Sequence, residues 1–173
     1  MTEAIHVYGD GGMAALSAVV SSLPLGYNLG DRRVDPATGY EYRLVYNAGT
    51  TQISTGFFAT PAAGSVGLNS VTVSTASNSN HHLGAVVCHN ATATTGTYFW
   101  GMKYGKPGGV SGQTQSIVTG SAFFISVNGE VDKATTVATA LAGNVTIGVN
   151  LGGSATATIT TGAQSGDVFV SLP

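Results

Sequence analysis

The chain has 173 residues and a formal net charge of -2, and only 8% of its residues are charged, six Lys or Arg against eight Asp or Glu. That length suits one domain with its own core and is too short for two ordinary domains. Six scattered cations exclude a binder that grips nucleic acid through a basic face, and no apolar run reaches the roughly 18 residues that a membrane span needs.

In chain order, residues 1–29 differ from the rest. Glu3 and Asp10 stand where a secretory leader would carry basic residues, and Gly11-Gly12 interrupts the apolar run, so no signal peptide is expected. Asp10 caps an expected short helix through Met13, Ala14, Ala15, Leu16, Ala18 and Val19, which ends before Pro24. A lone helix this short is marginal in water. It must dock on something, either its own domain or a neighbour; residues 1–29 are read as an arm on a neighbouring subunit or shell, with docking in cis left open and Ala15, Leu16, Val19 and Leu23 as contact candidates. The most charged stretch follows, Asp31-Arg32-Arg33-Val34-Asp35-Pro36-Ala37-Thr38-Gly39-Tyr40-Glu41-Tyr42-Arg43. Its Asp-Pro-Ala-Thr-Gly turn predicts a hairpin.

From Leu44 to Met102, and again from Ala134 to Gly166, there is no Asp, Glu, Lys or Arg. Soluble domains carry about 25% charged residues. With a mean hydropathy of +0.23, the simplest reconciliation is that much of this surface faces other protein subunits. The 25 Gly and the many Thr, Val, Ser and Asn favour strands and turns over helices. Alternation and turn residues place strands at 40–47, 54–60, 70–75, 83–89, 98–104, 116–120, 122–127, 130–134, 144–150, 156–161 and 167–172. Within the last third, Val127-Asn128-Gly129-Glu130 is the clearest hairpin turn, since Asn-Gly readily takes the positive φ of type I′. The expected fold is all-β: a small β-sandwich or barrel of short antiparallel strands over residues 30–173, preceded by the arm with its one short helix.

No constellation passes the tests for catalysis. No Gly-x-Ser-x-Gly elbow occurs, the acidic residues lie far apart, and Gly105-Lys106-Pro107-Gly108-Gly109 lacks the Lys-Ser/Thr of a phosphate loop. The expectation is a non-enzyme without cofactor. His81-His82 and Cys88-His89 are the only cluster of metal-ligand types, but on one strand Cys88 and His89 point to opposite faces. A buried thiol without metal is expected. On the strand at 98–104, Tyr98, Trp100 and Met102 share one face and Phe99 the other; Trp100 is read as core, and Tyr98, Phe99 and Tyr104 are kept as partner-contact candidates. Arg32, Arg33 and Arg43 are the candidates for directed salt bridges to a partner.

Leu83-Gly84-Ala85-Val86-Val87, followed by Gly96-Thr97-Tyr98-Phe99-Trp100-Gly101-Met102-Lys103-Tyr104-Gly105, resembles the central hairpin of tailed-bacteriophage head decoration, or cement, proteins. Val118-Thr119-Gly120-Ser121-Ala122 and Val131-Asp132-Lys133-Ala134-Thr135 resemble their following segments. Thr146-Ile147-Gly148-Val149-Asn150 with Gly166-Asp167-Val168-Phe169-Val170-Ser171-Leu172 is similar to their closing pair, and Leu29-Gly30-Asp31-Arg32 with Gly39-Tyr40-Glu41-Tyr42-Arg43 to their opening hairpin. The resemblance implies a virion structural protein on the outer surface of the capsid, a homotrimer on a local threefold axis that binds the major capsid protein and touches neither nucleic acid nor membrane. The alternative from another class is a tail-fibre or adhesin-type β module binding host-surface glycan.

Overall fold

The computed structural model describes residues 15–62, 68–73, 84–89, 91–107, 109–111, 120–133, 148–150 and 168–172. Eleven strands are formed there: β1 (Val19–Val20), β2 (Arg32–Val34), β3 (Glu41–Asn47), β4 (Phe58–Pro61), β5 (Ser70–Val73), β6 (Val86–Cys88), β7 (Tyr98–Gly105), β8 (Ala122–Ile125), β9 (Val131–Lys133), β10 (Gly148–Asn150) and β11 (Val168–Ser171). The fold is all-β, as expected. Five of the strands close into a barrel in the order β3-β5-β4-β6-β7, with β7 returning to β3. One of its pairs is parallel, β3 with β5 through Tyr46↔Ser70 and Asn47↔Val71, where only antiparallel pairing was expected. Such a pair joins segments that no hairpin connects, so local turn signals do not reveal it.

Alternation divides the barrel strands between two cores. Val45 of β3, Ala59 of β4, Val71 of β5, Val86 and Cys88 of β6 and Phe99 of β7 pack together inside the barrel, with Ile53 and Ala93. Their neighbours Tyr42, Leu44, Phe58, Val87, Trp100 and Met102 form a second core on the outside of the same strands, covered by Phe123, Val131 and Val170 of β8, β9 and β11. Buried Asn47 ties the loops at one end of the barrel: its Nδ2 donates to the carbonyls of Thr51 (3.0 Å) and Ala93 (3.1 Å), and its Oδ1 accepts from the Gly49 N–H (3.0 Å). All of these groups are satisfied, so the polar side chain is retained at little cost.

Both expected hairpins form. In the first, the Asp35 carboxylate accepts from the Thr38 hydroxyl (2.7 Å) and the Ala37 N–H (3.2 Å), which holds the carboxyl below its usual range. In the second, Asn128 and Gly129 take φ of 59° and 73°, and Ile125↔Val131 closes the β8–β9 ladder. The expected strand at 156–161 lies outside the described residues, as do all but Gly120 of that at 116–120 and most of that at 144–150; Gly120 is in a turn.

The arm requires a correction. Residues 1–14 lie outside the described residues, but Ala15 to Ala18 make a turn closed by Ala18 N–H to the Ala15 carbonyl (3.1 Å), and Val19–Val20 is a strand paired with Phe99 and Tyr98 of β7. The helix therefore does not extend through Val19. Of the two docking places left open, residues 15–29 take their own domain: Leu16, Ala18, Val20 and Leu23 pack on the outer core, and Tyr27 is part of it, edge-on to Trp100 with ring centroids 6.4 Å apart. An apolar segment of this composition suits a strand as well as a helix, and the open edge of β7 decides between them. Deleting residues 1–29 is accordingly expected to destabilise the isolated chain, since loss of a core aromatic such as Tyr27 alone costs about 3 kcal/mol. Urea unfolding of the purified truncation measures this; unchanged stability would return the arm to a role outside its own domain.

Gly101 marks the tightest approach inside the barrel. A Cβ there would stand 2.4 Å from Val86 Cγ2 and 2.5 Å from Val86 Cβ. Gly101→Ala is expected to cost about 1–3 kcal/mol through overpacking, and Val86→Ala in the same chain to recover part of it. A double-mutant cycle by chemical denaturation checks the coupling, and additive costs would refute it.

Candidate functional site

Where β3 begins and β7 ends, the regular ladder breaks. Glu41 pairs with Tyr104 and Tyr42 with Met102, so Lys103 is an extra residue on β7, a bulge. Its carbonyl accepts from the Leu172 N–H (2.9 Å), which ties the bulge to the chain just beyond β11. Lys103 is 8% exposed, and its Nζ donates to the Ala85 carbonyl at 3.2 Å.

Beside it, β2 and β3 pair with Arg32 directly opposite Arg43. Arg32 Nη2 donates to Glu41 Oε2 at 3.0 Å. Arg32, Glu41, Arg43 and Lys103 line one cavity of about 320 Å³, whose walls are completed by Tyr42, Tyr104, Ser171 and Leu172. Three of the six basic residues of the chain thus meet at one place, against one carboxylate among the lining residues. Like charges directly across a sheet destabilise it, and an exposed ion pair such as Arg32–Glu41 returns little.

The structure sorts the sequence candidates. Arg32 and Arg43 are brought together. Arg33, the next residue on β2, faces the other way, its guanidinium carbon 6.0 Å from the centre of the Trp100 ring, a cation–π contact. Tyr104 lines the cavity, is 43% exposed and meets Phe169 edge-on at 4.9 Å. Tyr98 is half-buried against Tyr46, ring centroids 4.9 Å apart. Phe99 is corrected: at 2% exposure inside the barrel it presents nothing to a partner, because both faces of β7 are core. Trp100 is buried, as read from the sequence. Of the arm candidates, Leu16, Val19 and Leu23 pack on their own domain and Ala15 is exposed.

Cys88 and His89 do fall on opposite faces. The thiol lies inside the barrel, 2.7 Å from the Ala91 carbonyl and 3.4 Å from that of Ile53, and burial pushes it up to about 12. His89 sits on the other side near Tyr42, with Nδ1 2.9 Å from the Pro107 carbonyl, and burial pulls its pKa down. His81 and His82 lie outside the described residues.

Lys103 is the site residue that sequence reading missed. A charge at 103 continues the inward-facing row of Phe99 and Gly101, and that clash with a buried row was the available signal. No protein-family model, curated protein or solved structure matches the chain.

Burial, with the cations of Arg43 and Arg32, pushes Lys103 down to about 8 from an ordinary 10.5. Between those values the unfolded chain holds a proton that the folded chain has released, so stability rises as pH climbs from about 8 to 10.5 and falls as it returns. Below about 8 the charge persists in both states and its full cost, at most about 3 kcal/mol, is present. Lys103→Met is expected to raise stability at pH 7 and to flatten that part of the profile. Denaturant titrations of both proteins across this range test it. An unchanged slope would place the amine in water.

Proposed function

We propose that the chain is a virion structural protein, a head decoration protein of a tailed bacteriophage that sits on the outer face of the capsid as a homotrimer and joins adjacent major capsid subunits. The observation that carries this reading is the segregation of charge. Among the described residues, β4, β5 and β6 bear none, while eight of the eleven charged residues, from Asp31 to Arg43 and at Lys103 and Lys106, stand on the β2–β3 hairpin or at the end of β7, and the other three, Glu130, Asp132 and Lys133, stand at β9.

Exposed apolar side chains add support. Leu25 is fully exposed and Leu29 and Leu68 are 38% and 48% exposed, and the turns of Leu29 and Leu68 adjoin, since a Cβ on Gly30 would meet the Asn69 side chain. Covering such surface yields roughly 25 cal/mol per Å² before the cost of docking, and repetition over a shell multiplies the effect through avidity. No turnover is required of such a protein. A closed barrel suits the task, having few open strand edges on which to aggregate.

Purified protein added to decoration-free heads is expected to bind to saturation and to raise the temperature at which they rupture, with light scattering of the free protein giving a trimer. Binding to host cells without binding to heads would instead favour a glycan-recognising module.

A further inference from the structure

Half of the chain's cations converge on one cavity in a protein with 8% charged residues, and the arrangement is unfavourable in the isolated chain on two independent counts. Arg32 stands directly opposite Arg43 across the β2–β3 ladder, and Lys103 is withdrawn from water beside them. Both features cost stability. Each would be relieved by one anionic group placed between the three side chains. The β7 bulge is what delivers Lys103 there, and bulges commonly re-aim a side chain at a functional site.

We infer that the cavity between β2, β3, β7 and the end of β11 is a receptor for the carboxylate of an acidic side chain of a protein partner. Guanidinium groups present a planar fork that matches a carboxylate, and the lysine supplies a point charge behind it. The walls favour a side chain over a bare ion, because Tyr104 and Leu172 offer apolar surface to the methylene stem of a Glu or Asp. A phosphate polymer is disfavoured. It needs cations spaced along a track, and the next one on β2, Arg33, is turned away to Trp100. This inference rests on the preceding reading only for the identity of the partner.

The probe is N-acetylglutamate amide, titrated into the full chain while the Arg side-chain N–H signals are followed by NMR, with N-acetylglutamine amide and inorganic phosphate as parallel arms. Saturable shifts of Arg32 and Arg43 are expected with the glutamate probe, none with the glutamine probe, and weaker binding of phosphate. Arg43→Gln and Lys103→Met should each weaken the glutamate probe about tenfold, the loss of one charge-assisted contact, with the amide spectrum reporting that the fold is kept. Glu41→Gln should act in the opposite direction and tighten binding, because it removes the carboxylate that competes for Arg32. Equal response to the glutamate and glutamine probes, tighter binding of phosphate, or weaker binding by Glu41→Gln would each overturn the inference. On decoration-free heads, unchanged occupancy by Arg43→Gln would overturn the assignment to a partner protein. Failure of the unaltered chain to bind heads, with the glutamate response intact, would reject the capsid reading and leave the carboxylate site standing.

Discussion

The fold depends on β7. Along one edge its pairs run with β3 from Tyr98 to Tyr104. Along the other edge three strands from distant parts of the chain take successive positions: β1 on Tyr98 and Phe99, β6 on Gly101 and Met102, and β11 on Tyr104 and Gly105. A strand paired on both edges and packed on both faces buries its central residues, here Phe99 to Lys103. Phe99 therefore fills the barrel while Trp100, one residue on, anchors the outer core. Each core is laid on a backbone that the other core also fixes, and a small domain without a disulfide gains its stability in this way.

The same strand makes the charged site possible. A regular alternation beyond Gly101 would direct the next inward residue into the ladder with β3. The bulge instead releases Lys103 from that pairing, and the Leu172 N–H takes up its carbonyl. β2, which lies outside the closed barrel, brings Arg32 against Arg43 from the far side of β3. A single hairpin and the distant end of β7, some sixty residues further along the chain, thus carry their cations to one place on a rigid support. Rigidity matters here, since a recognition group held on strands keeps its geometry better than one on a loop.

What was legible in the sequence was what is local. Asp35 to Gly39 and Asn128-Gly129 fix their turns through their own side chains and backbone preferences, so both hairpins were readable without knowledge of the rest. Alternation gave β3, β5 and β7 nearly in full. The segment from Ala15 to Val20 was misread because its small and branched apolar residues satisfy a helix and a buried strand alike, and the deciding partner, β7, lies some eighty residues away. The parallel β3–β5 pair and the burial of Phe99 escaped for the same reason, as each follows from barrel closure and not from any neighbouring residue. Of the site, Arg32 and Arg43 were picked out by type. Alternation on β2 already separated Arg33 from Arg32, and that consequence was there to be drawn.

Lys103 raises the question of why a chain so sparing of charge places an amine where water is scarce. A Met or Leu would fill the same volume at less cost, as buried charges are commonly replaced by apolar residues with a gain in stability. The Ala85 carbonyl does not require it either, since a neutral donor would satisfy that acceptor without burying a charge. The feature that distinguishes an ammonium at this position is its charge, and the residues directed to the same cavity, Arg32 and Arg43, share that sign. Stability given up at one point of an otherwise consistent fold is characteristic of a site selected for what it meets and not for what it supports.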